Sequence, residues 1–352
     1  MRKWFPVLLP ALLFVITTVG CTTDFEVYED PKEIRAVYCV LNPRDTAQYV
    51  RIAKAYQVQG DAIEYAANND LSVKGLQVKL KAGNKTWTAT EVAGIPKEPG
   101  TFNSPYTVYR FLTDDSPGHD TLAWNTEYTL EVGTPESDDY VTGKTWIPEI
   151  PKFRGDLNLN PGPGNQLCLP KLFLDRRYSI FWKRLGDGIN YEVRVGFVFQ
   201  NLGVQDTVLW GPTNLFDNTD SRCTSAECGY TWNAKELLRV FYREMPDAPP
   251  GTYTYNDADS CAPANQLGIL PRSLWFEVTA VDKYLSTYMI VNDPSVLDLN
   301  GSKPEYTNLS GKVDCIGVFG SYLTDRRYAI LQTCSQALLG LNGIQAPLGC
   351  EW

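Results

Sequence analysis

The 352-residue chain carries 41 acidic against 32 basic side chains, a formal net charge of −9, and one histidine. Negative charge in that excess opposes nucleic acid and anionic membrane surfaces, so no nucleic-acid partner is expected. One histidine removes histidine-pair metal sites and leaves little room for a Ser-His-Asp triad; with no GxSxG, P-loop or HExxH run, the sequence offers no catalytic residue, no metal site and no cofactor.

At the start, Arg2 and Lys3 precede an apolar run from Val7 that closes in Gly20-Cys21. That is the three-part layout of a secretory signal. The run is short for a bilayer span and is flanked and broken by Pro6 and Pro10. Thr18-Val19-Gly20-Cys21 resembles the lipobox of bacterial lipoproteins, with Thr18 where leucine is usual. The resemblance implies that residues 1–20 are removed and that Cys21 is acylated as the first mature residue. The competing reading is an ordinary cleaved signal with a cysteine nearby. Loss of residues 1–20 takes Arg2 and Lys3 with it, leaving 332 residues with 30 basic and 41 acidic side chains, a net charge of −11. The expected first partner is then a lipid bilayer, reached through acylated Cys21, with two or more acyl chains needed for stable anchoring.

Residues 21–32 form a polar, acidic tether. Asp24 and Glu26, separated by Phe25, resemble the surface-export signal of Bacteroidota lipoproteins, which implies an outer-membrane, cell-surface location; a solvated linker, or the periplasmic face, is the alternative.

Residues 33–150 read as an N-terminal β-sandwich. EIRAVYCV is a β-rich run stopped by Asn42-Pro43, and Tyr49 to Tyr56 is a second, with Val50 and Ile52 two apart. Asp61 to Asn69 fits one or two helical turns. Leu76, Val78 and Leu80 alternate with polar residues, Gly83-Asn84 turns the chain, and Thr86 to Val92 returns as a hairpin. Val108 to Leu112 is a further strand. Tyr128, Leu130 and Val132 alternate, with Leu122 six residues before the tyrosine; this resembles the tyrosine corner of immunoglobulin-like and fibronectin-like sandwiches. A Pro-, Asn- and Gly-rich stretch over 148–163 marks a domain junction.

Residues 151–352 read as a fibronectin-like β domain, so the expected fold is mainly β: tandem sandwiches with a few short helices. Strands are expected at Ser179 to Lys183, Tyr191 to Phe197 and Thr207 to Trp210, with Gly186-Asp187-Gly188 as a turn. A long insertion, about 211–271, follows. It holds a helix over Ala234 to Arg243 and polar loops pinned by cysteines. Leu274 to Val281 is a strongly apolar strand, and Asp282 caps a helix over Lys283 to Val291.

Eight cysteines follow Cys21: Cys39, Cys168, Cys223, Cys228, Cys261, Cys315, Cys334 and Cys350. An even number in an exported chain reads as disulfides, with 105 pairings open. Only Cys39 precedes the junction, so pairing of all eight would carry it across to the second domain. The alternative leaves Cys39 as a small buried hydrophobe and another cysteine free. Zinc at Cys223, Cys228 and Cys261 competes, but without a CxxC pair and with His119 far off in sequence. The carboxylates Asp114-Asp115, Asp217/Asp220 and Asp257/Asp259 sit in expected loops and read as solvated charge rather than a glycosidase pair or calcium loop.

Near the end, Pro304 to Tyr322 follows a strand and a tyrosine-containing helix. Its residues Tyr306, Thr307, Asn308, Gly317, Phe319 and Gly320 resemble a run in a poorly characterised family of Bacteroidota outer-membrane lipoproteins, often found beside TonB-dependent receptors. Here Lys312 to Cys315 interrupts the family's glycine-rich stretch. The resemblance implies an accessory, non-enzymatic role and a TonB-dependent partner, and brings no catalytic residue. In physical terms the glycines would supply turns and Phe319 would fill a core. The alternative function is a structural or adhesive surface protein binding glycan or protein.

Two sets of surface residues complete the reading. Phe216, Tyr230, Trp232, Tyr253 and Tyr255 in the insertion are of hot-spot type and are binding candidates, with core packing as the alternative. Thr46, Thr121 and Thr207 each follow an aspartate and precede an apolar residue, which resembles the O-glycan acceptor of Bacteroidota exported proteins.

Overall fold

The structure, a computed structural model, describes residues 34–55, 62–96, 104–154, 166–167, 177–201, 204–211, 213–244, 253–255, 274–293 and 306–331. The signal, the tether, Cys21, Cys168, Cys261, Cys334 and Cys350 lie outside the described residues. The fold is mainly β, with several sheets.

The first core lies between two sheets. One holds β1 (Ile34–Leu41), β2 (Ala47–Ala55), β6 (Tyr106–Leu112) and β5 (Thr90–Ile95); the other holds β17 (Leu309–Gly311), β8 (Val141–Ile147), β7 (Thr126–Val132), β3 (Val78–Ala82) and β4 (Lys85–Thr88). Period-two patterning drives the packing: Tyr128, Leu130 and Val132 of β7 point inward against Val37, Val50, Ile52 and Phe111. Gly83 turns the β3–β4 hairpin at φ +56°. The buried Tyr128 hydroxyl accepts from the Ala123 N–H (2.7 Å) and donates to its carbonyl (3.2 Å), closing the corner expected there. A short helix, α1 (Ala62–Asn68), links β2 to β3.

The second core is built by β11 (Asn190–Asn201), β12 (Val204–Trp210) and β16 (Leu274–Val281), facing β10 (Arg177–Lys183) paired with β14 (Glu227–Asn233); the end of β18 (Asp314–Leu331) pairs with β16 in the same sheet. The helix α2 (Ala234–Glu244) adds Leu237 and Val240. Two-residue β9 (Gln166–Leu167) and β13 (Phe216–Asp217), and β15 (Tyr253–Tyr255), pair at the margins.

Expectation and structure part at the domain boundary. Ile34–Trp352 groups as one compact unit, and one sheet runs through both halves in the order β12-β11-β16-β18-β1-β2-β6-β5. The cause is β18. Its first eight residues, Asp314–Ser321, run parallel to β1, and Tyr322–Ala329 run antiparallel to β16. Leu309 and Phe319, placed by sequence in the second domain, are therefore buried in the first core. The expected 211–271 insertion is not a loop excursion either. Its Glu227–Asn233 segment is β14, one of the two strands that cover the second core.

Candidate functional site

The helix α3 (Lys283–Val291) sets the site's frame. Asp282 is its N-cap: the carboxylate accepts from the N–H groups of Tyr284 (2.6 Å) and Leu285 (2.7 Å). The same side chain is buried between the cores. Its other oxygen accepts from Thr145 of β8 and from Ser321 of β18 (3.0 Å), while Ser321 also donates to the Trp146 carbonyl (2.8 Å). Burial pushes the Asp282 carboxyl up, against the pull of these four donors. Gly320 makes room for the helix, since a Cβ there would come within 2.6 Å of Leu285. A small apolar cluster of Val281, Leu285 and Val318 completes the joint.

On the open face of the shared sheet, β11, β16 and β18 align by register into three rows. Glu192, Thr279 and Thr324 form one; Arg194, Glu277 and Arg326 the next; Gly196, Trp275 and Tyr328 the third. Alternation sends the intervening residues, Val193, Val195, Phe276 and Val278, into the core. The Trp275 ring lies across Gly196, where a Cβ would stand 2.0 Å from the ring, and the Arg326 guanidinium stacks over it at 4.1 Å. Asn42 and Arg44 from the turn after β1, together with Val40, Leu285 and Met289, form the walls. The result is a groove of about 700 Å³ drawing on both halves of the chain. Burial pushes the Tyr322 hydroxyl up at its edge.

A second concavity, about 400 Å³, lies where β7 and β8 meet the loop before β11 and the start of α3. Trp146 stands in it 44 % exposed, and neighbouring Trp124 is 53 % exposed. Lys144–Glu127 (2.8 Å) and Lys183–Glu149 (2.9 Å) rim it.

The residues singled out from sequence distribute differently. Phe216 and Trp232 are core residues, and Tyr230 packs against them half-buried; Trp232 stacks on Tyr178 (4.9 Å) and Phe276 (5.8 Å). For these three the alternative of core packing is what the structure shows: Tyr230 and Trp232 lie two apart on β14, and Phe216 sits on β13 where it pairs with β11. Tyr253 and Tyr255 stand in β15 against β11; their side chains lie outside the described residues. Cys223 and Cys228 form a disulfide, which also answers the zinc alternative for that pair. Cys39 carries no disulfide. It is buried in the first core with its thiol pushed up by burial, which is the alternative of a small buried hydrophobe and not the bond across to the second domain. Cys315 is also free. Thr46, Thr121 and Thr207 are all exposed. Asp114 is hydrogen-bonded to His119, and Asp220 is held at about 2 by Arg222, which donates from Nε and Nη2 (2.7 and 2.8 Å). No group of three or more His, Cys, Asp or Glu side chains is placed to hold a metal among the described residues.

The motif run proves architectural. Asn308 donates to the carbonyls of Lys144 (2.9 Å) and Phe319 (2.7 Å) and accepts from the Phe319 N–H (3.0 Å), tying β18 to β8. The Thr307 hydroxyl accepts from the Leu309 N–H (3.1 Å). Tyr306 is half-buried, and burial pushes its hydroxyl up. Gly317 has φ +108° and a Cβ would stand 2.0 Å from the Val37 carbonyl. Both glycines lie inside a strand, where they permit close approach, and not in turns as expected.

What the sequence reading missed is the groove. Its signal was present as polar and aromatic alternation in Trp275, Glu277, Thr279 and in Tyr322, Thr324, Arg326, Tyr328. No family model matches the chain, and no curated protein matches it either.

Proposed function

We propose that this chain is an outer-membrane-anchored lipoprotein, held by acylated Cys21, that serves as a non-enzymatic binding subunit beside a TonB-dependent transporter. The observation that carries the reading is the groove. It is an open, preformed face whose polar side chains are fixed by cross-strand pairing rather than converging on a reacting atom. The Asp282–Thr145–Ser321 joint supports the same role by holding both cores in one arrangement, so that Asn42 and Arg44 from the turn after β1 face residues of β11 and β16. The acidic chain repels anionic headgroups, which leaves lipid as the means of attachment.

The test is capture from outer membranes in mild detergent. Wild type brings down a β-barrel transporter, and Cys21→Ala moves the protein to the soluble periplasm. A wild-type capture without any barrel protein overturns the transport role, and a Cys21→Ala chain that still fractionates with the membrane overturns the anchor. A second reading, adhesion to a protein at the cell surface, is favoured by Trp124 and Trp146. Tryptophan is enriched among the residues that carry protein–protein binding energy, and these two stand about half exposed. Loss of a captured partner on Trp146→Ala, with no transporter in the capture, is the outcome that reading expects.

A further inference from the structure

One wall of the Trp146 concavity is held from outside the concavity. Leu185, Gly186, Asp187, Gly188 and Ile189 line it together with Trp146 and Tyr284. The wall has little hold of its own at its tip: Gly188 turns at φ +77°, and Asp187 is 98 % exposed, 3.5 Å from Arg184. Its base is gripped from two sides. The Asn218 amide donates to the carbonyls of Leu185 (3.0 Å) and Gly186 (2.8 Å), and the Arg184 N–H donates to the Ala226 carbonyl (3.2 Å). Ala226 lies inside the covalent loop that the Cys223–Cys228 disulfide closes, and Asn218 lies just before it.

The spacing of the two grips depends on that loop. The limb that carries Asn218 is ordered locally: Asp217 accepts from the Thr219 N–H (2.8 Å), and the Arg222 guanidinium, paired with Asp220, stacks over Phe216 at 3.7 Å. The limb is joined to β14 by the Gly229 N–H on the Arg222 carbonyl (2.9 Å), the Thr224 N–H on the Glu227 carbonyl (2.7 Å) and the disulfide. Thr224 and Ala226 are exposed, so the hydrogen bonds at that end compete with water, and the covalent bond is what keeps the grips in register. The bond itself has one reachable side. Cys228 is buried in the second core, whereas Cys223 is half-buried at its margin.

We propose that the Cys223–Cys228 disulfide is a redox-sensitive latch that fixes one wall of the Trp146 concavity. The reductant is a dithiol. One of its thiolates attacks the Cys223 sulfur, the S–S bond breaks, and Cys228 leaves as a thiolate that takes up a proton. The second thiolate of the reductant then displaces Cys223 from the mixed disulfide, so that two electrons and two protons pass to the cysteine pair and the reductant becomes a disulfide. With the loop open, Asn218 and Ala226 lose their fixed spacing and the Arg184–Gly186 base is released. The proposal deepens the adhesion reading of the Trp146 face and rests on it for what the concavity contacts, but not for the latch.

The experiment is hydrogen exchange on the full-length lipidated chain in detergent, oxidised and after incubation with dithiothreitol, with thiol labelling to read the state of Cys223 and Cys228. Dithiothreitol reduces the pair in the folded chain, and the Arg184 and Leu185 amides then exchange about tenfold faster or more. Those of Val193 and Phe276 in the second core and Leu130 in the first change by less than about twofold. Cys223→Ser with Cys228→Ser gives the same pattern without reductant, which separates this bond from the other cysteines. Asn218→Ala frees the base with the disulfide intact. Should the double serine variant fail to fold, reduced wild type and Asn218→Ala decide. A pair that resists dithiothreitol in the folded chain overturns the proposal, as does a change below about twofold at Arg184 and Leu185 on reduction or in Asn218→Ala. Acceleration that spreads to Val193 and Phe276 also overturns it, since the bond would then be a staple of the whole core. Capture of a partner that depends on Trp146, by a chain without the latch, overturns this inference alone. The latch in a chain whose capture is unmoved by Trp146→Ala overturns only the adhesion reading.

Discussion

Upstream of Tyr322, β18 carries Gly317, Val318, Phe319, Gly320 and Ser321, all buried; downstream, Tyr322, Thr324, Arg326 and Tyr328 stand on the open face of the sheet. The upstream half pairs with β1 and is tied down by Asn308 and Asp282. The downstream half pairs with β16, and its outward side chains form part of the groove. One continuous strand thus joins two cores with its first half and displays a surface with its second. Substitutions in the first half should act on stability, and substitutions on the outward face of the second should act on binding.

The largest effect belongs to Gly317→Ala. The left-handed backbone and the Val37 carbonyl 2.0 Å from the new Cβ leave no relaxed placement, so the pairing of β1 with β18 must shift. A loss of about 3 kcal/mol is expected in denaturant titration. A loss below about 1 kcal/mol would mean that β1 and β18 are not held as described.

Next comes Asp282. Asp282→Ala removes a helix cap and leaves the Thr145 and Ser321 hydroxyls without their shared acceptor, an expected loss of about 2–3 kcal/mol. Asp282→Asn keeps the cap and gives a pH signature. Because burial raises the folded value of this carboxyl above its ordinary 3.8, its contribution is complete below that value and is lost as pH rises through the raised one. The stability advantage of wild type over Asp282→Asn should therefore shrink with rising pH across that window. Asp220, held at about 2 by Arg222, works in the opposite sense, losing its contribution as pH falls from 3.8 toward 2. That term is common to both proteins and cancels in the difference. An advantage that grows with pH would contradict the burial of Asp282.

The contrast between these variants and the groove also explains what could be read from the chain alone. Signals within a few residues survived translation into structure. Asp282 with Lys283–Val291, Leu274–Val281, Gly83-Asn84 in its hairpin and Tyr128 at its corner all stand where spacing and capping put them. Signals that depend on register between distant strands did not. β18 was invisible as one strand because Gly317 and Gly320 read as turns. β14 was hidden because a disulfide-bearing loop runs straight into it, so Trp232 looked like a surface anchor. The groove needs β11, β16 and β18 side by side, and no local period encodes that.

The smallest stability effects are expected on the groove itself. Arg326 is about 40 % exposed and its pairing with Glu277 is partly solvent-screened, so Arg326→Ala should lower stability by no more than about 1 kcal/mol. Thr324→Val should fall within about 0.5–1 kcal/mol. A groove variant that unfolds the chain as readily as Gly317→Ala would erase the distinction between the two halves of β18.

Cooperativity of unfolding tests the shared strand most directly. Hydrogen exchange across a denaturant series can follow Val50 and Leu130 for the first core and Val193 and Phe276 for the second. With β18 paired to β1 on one side and to β16 on the other, the two sets of amides should open with coincident midpoints, and Gly317→Ala should lower both together. Two separated transitions, with only the Val50 and Leu130 amides responding to Gly317→Ala, would contradict a single strand that binds the two cores into one unit.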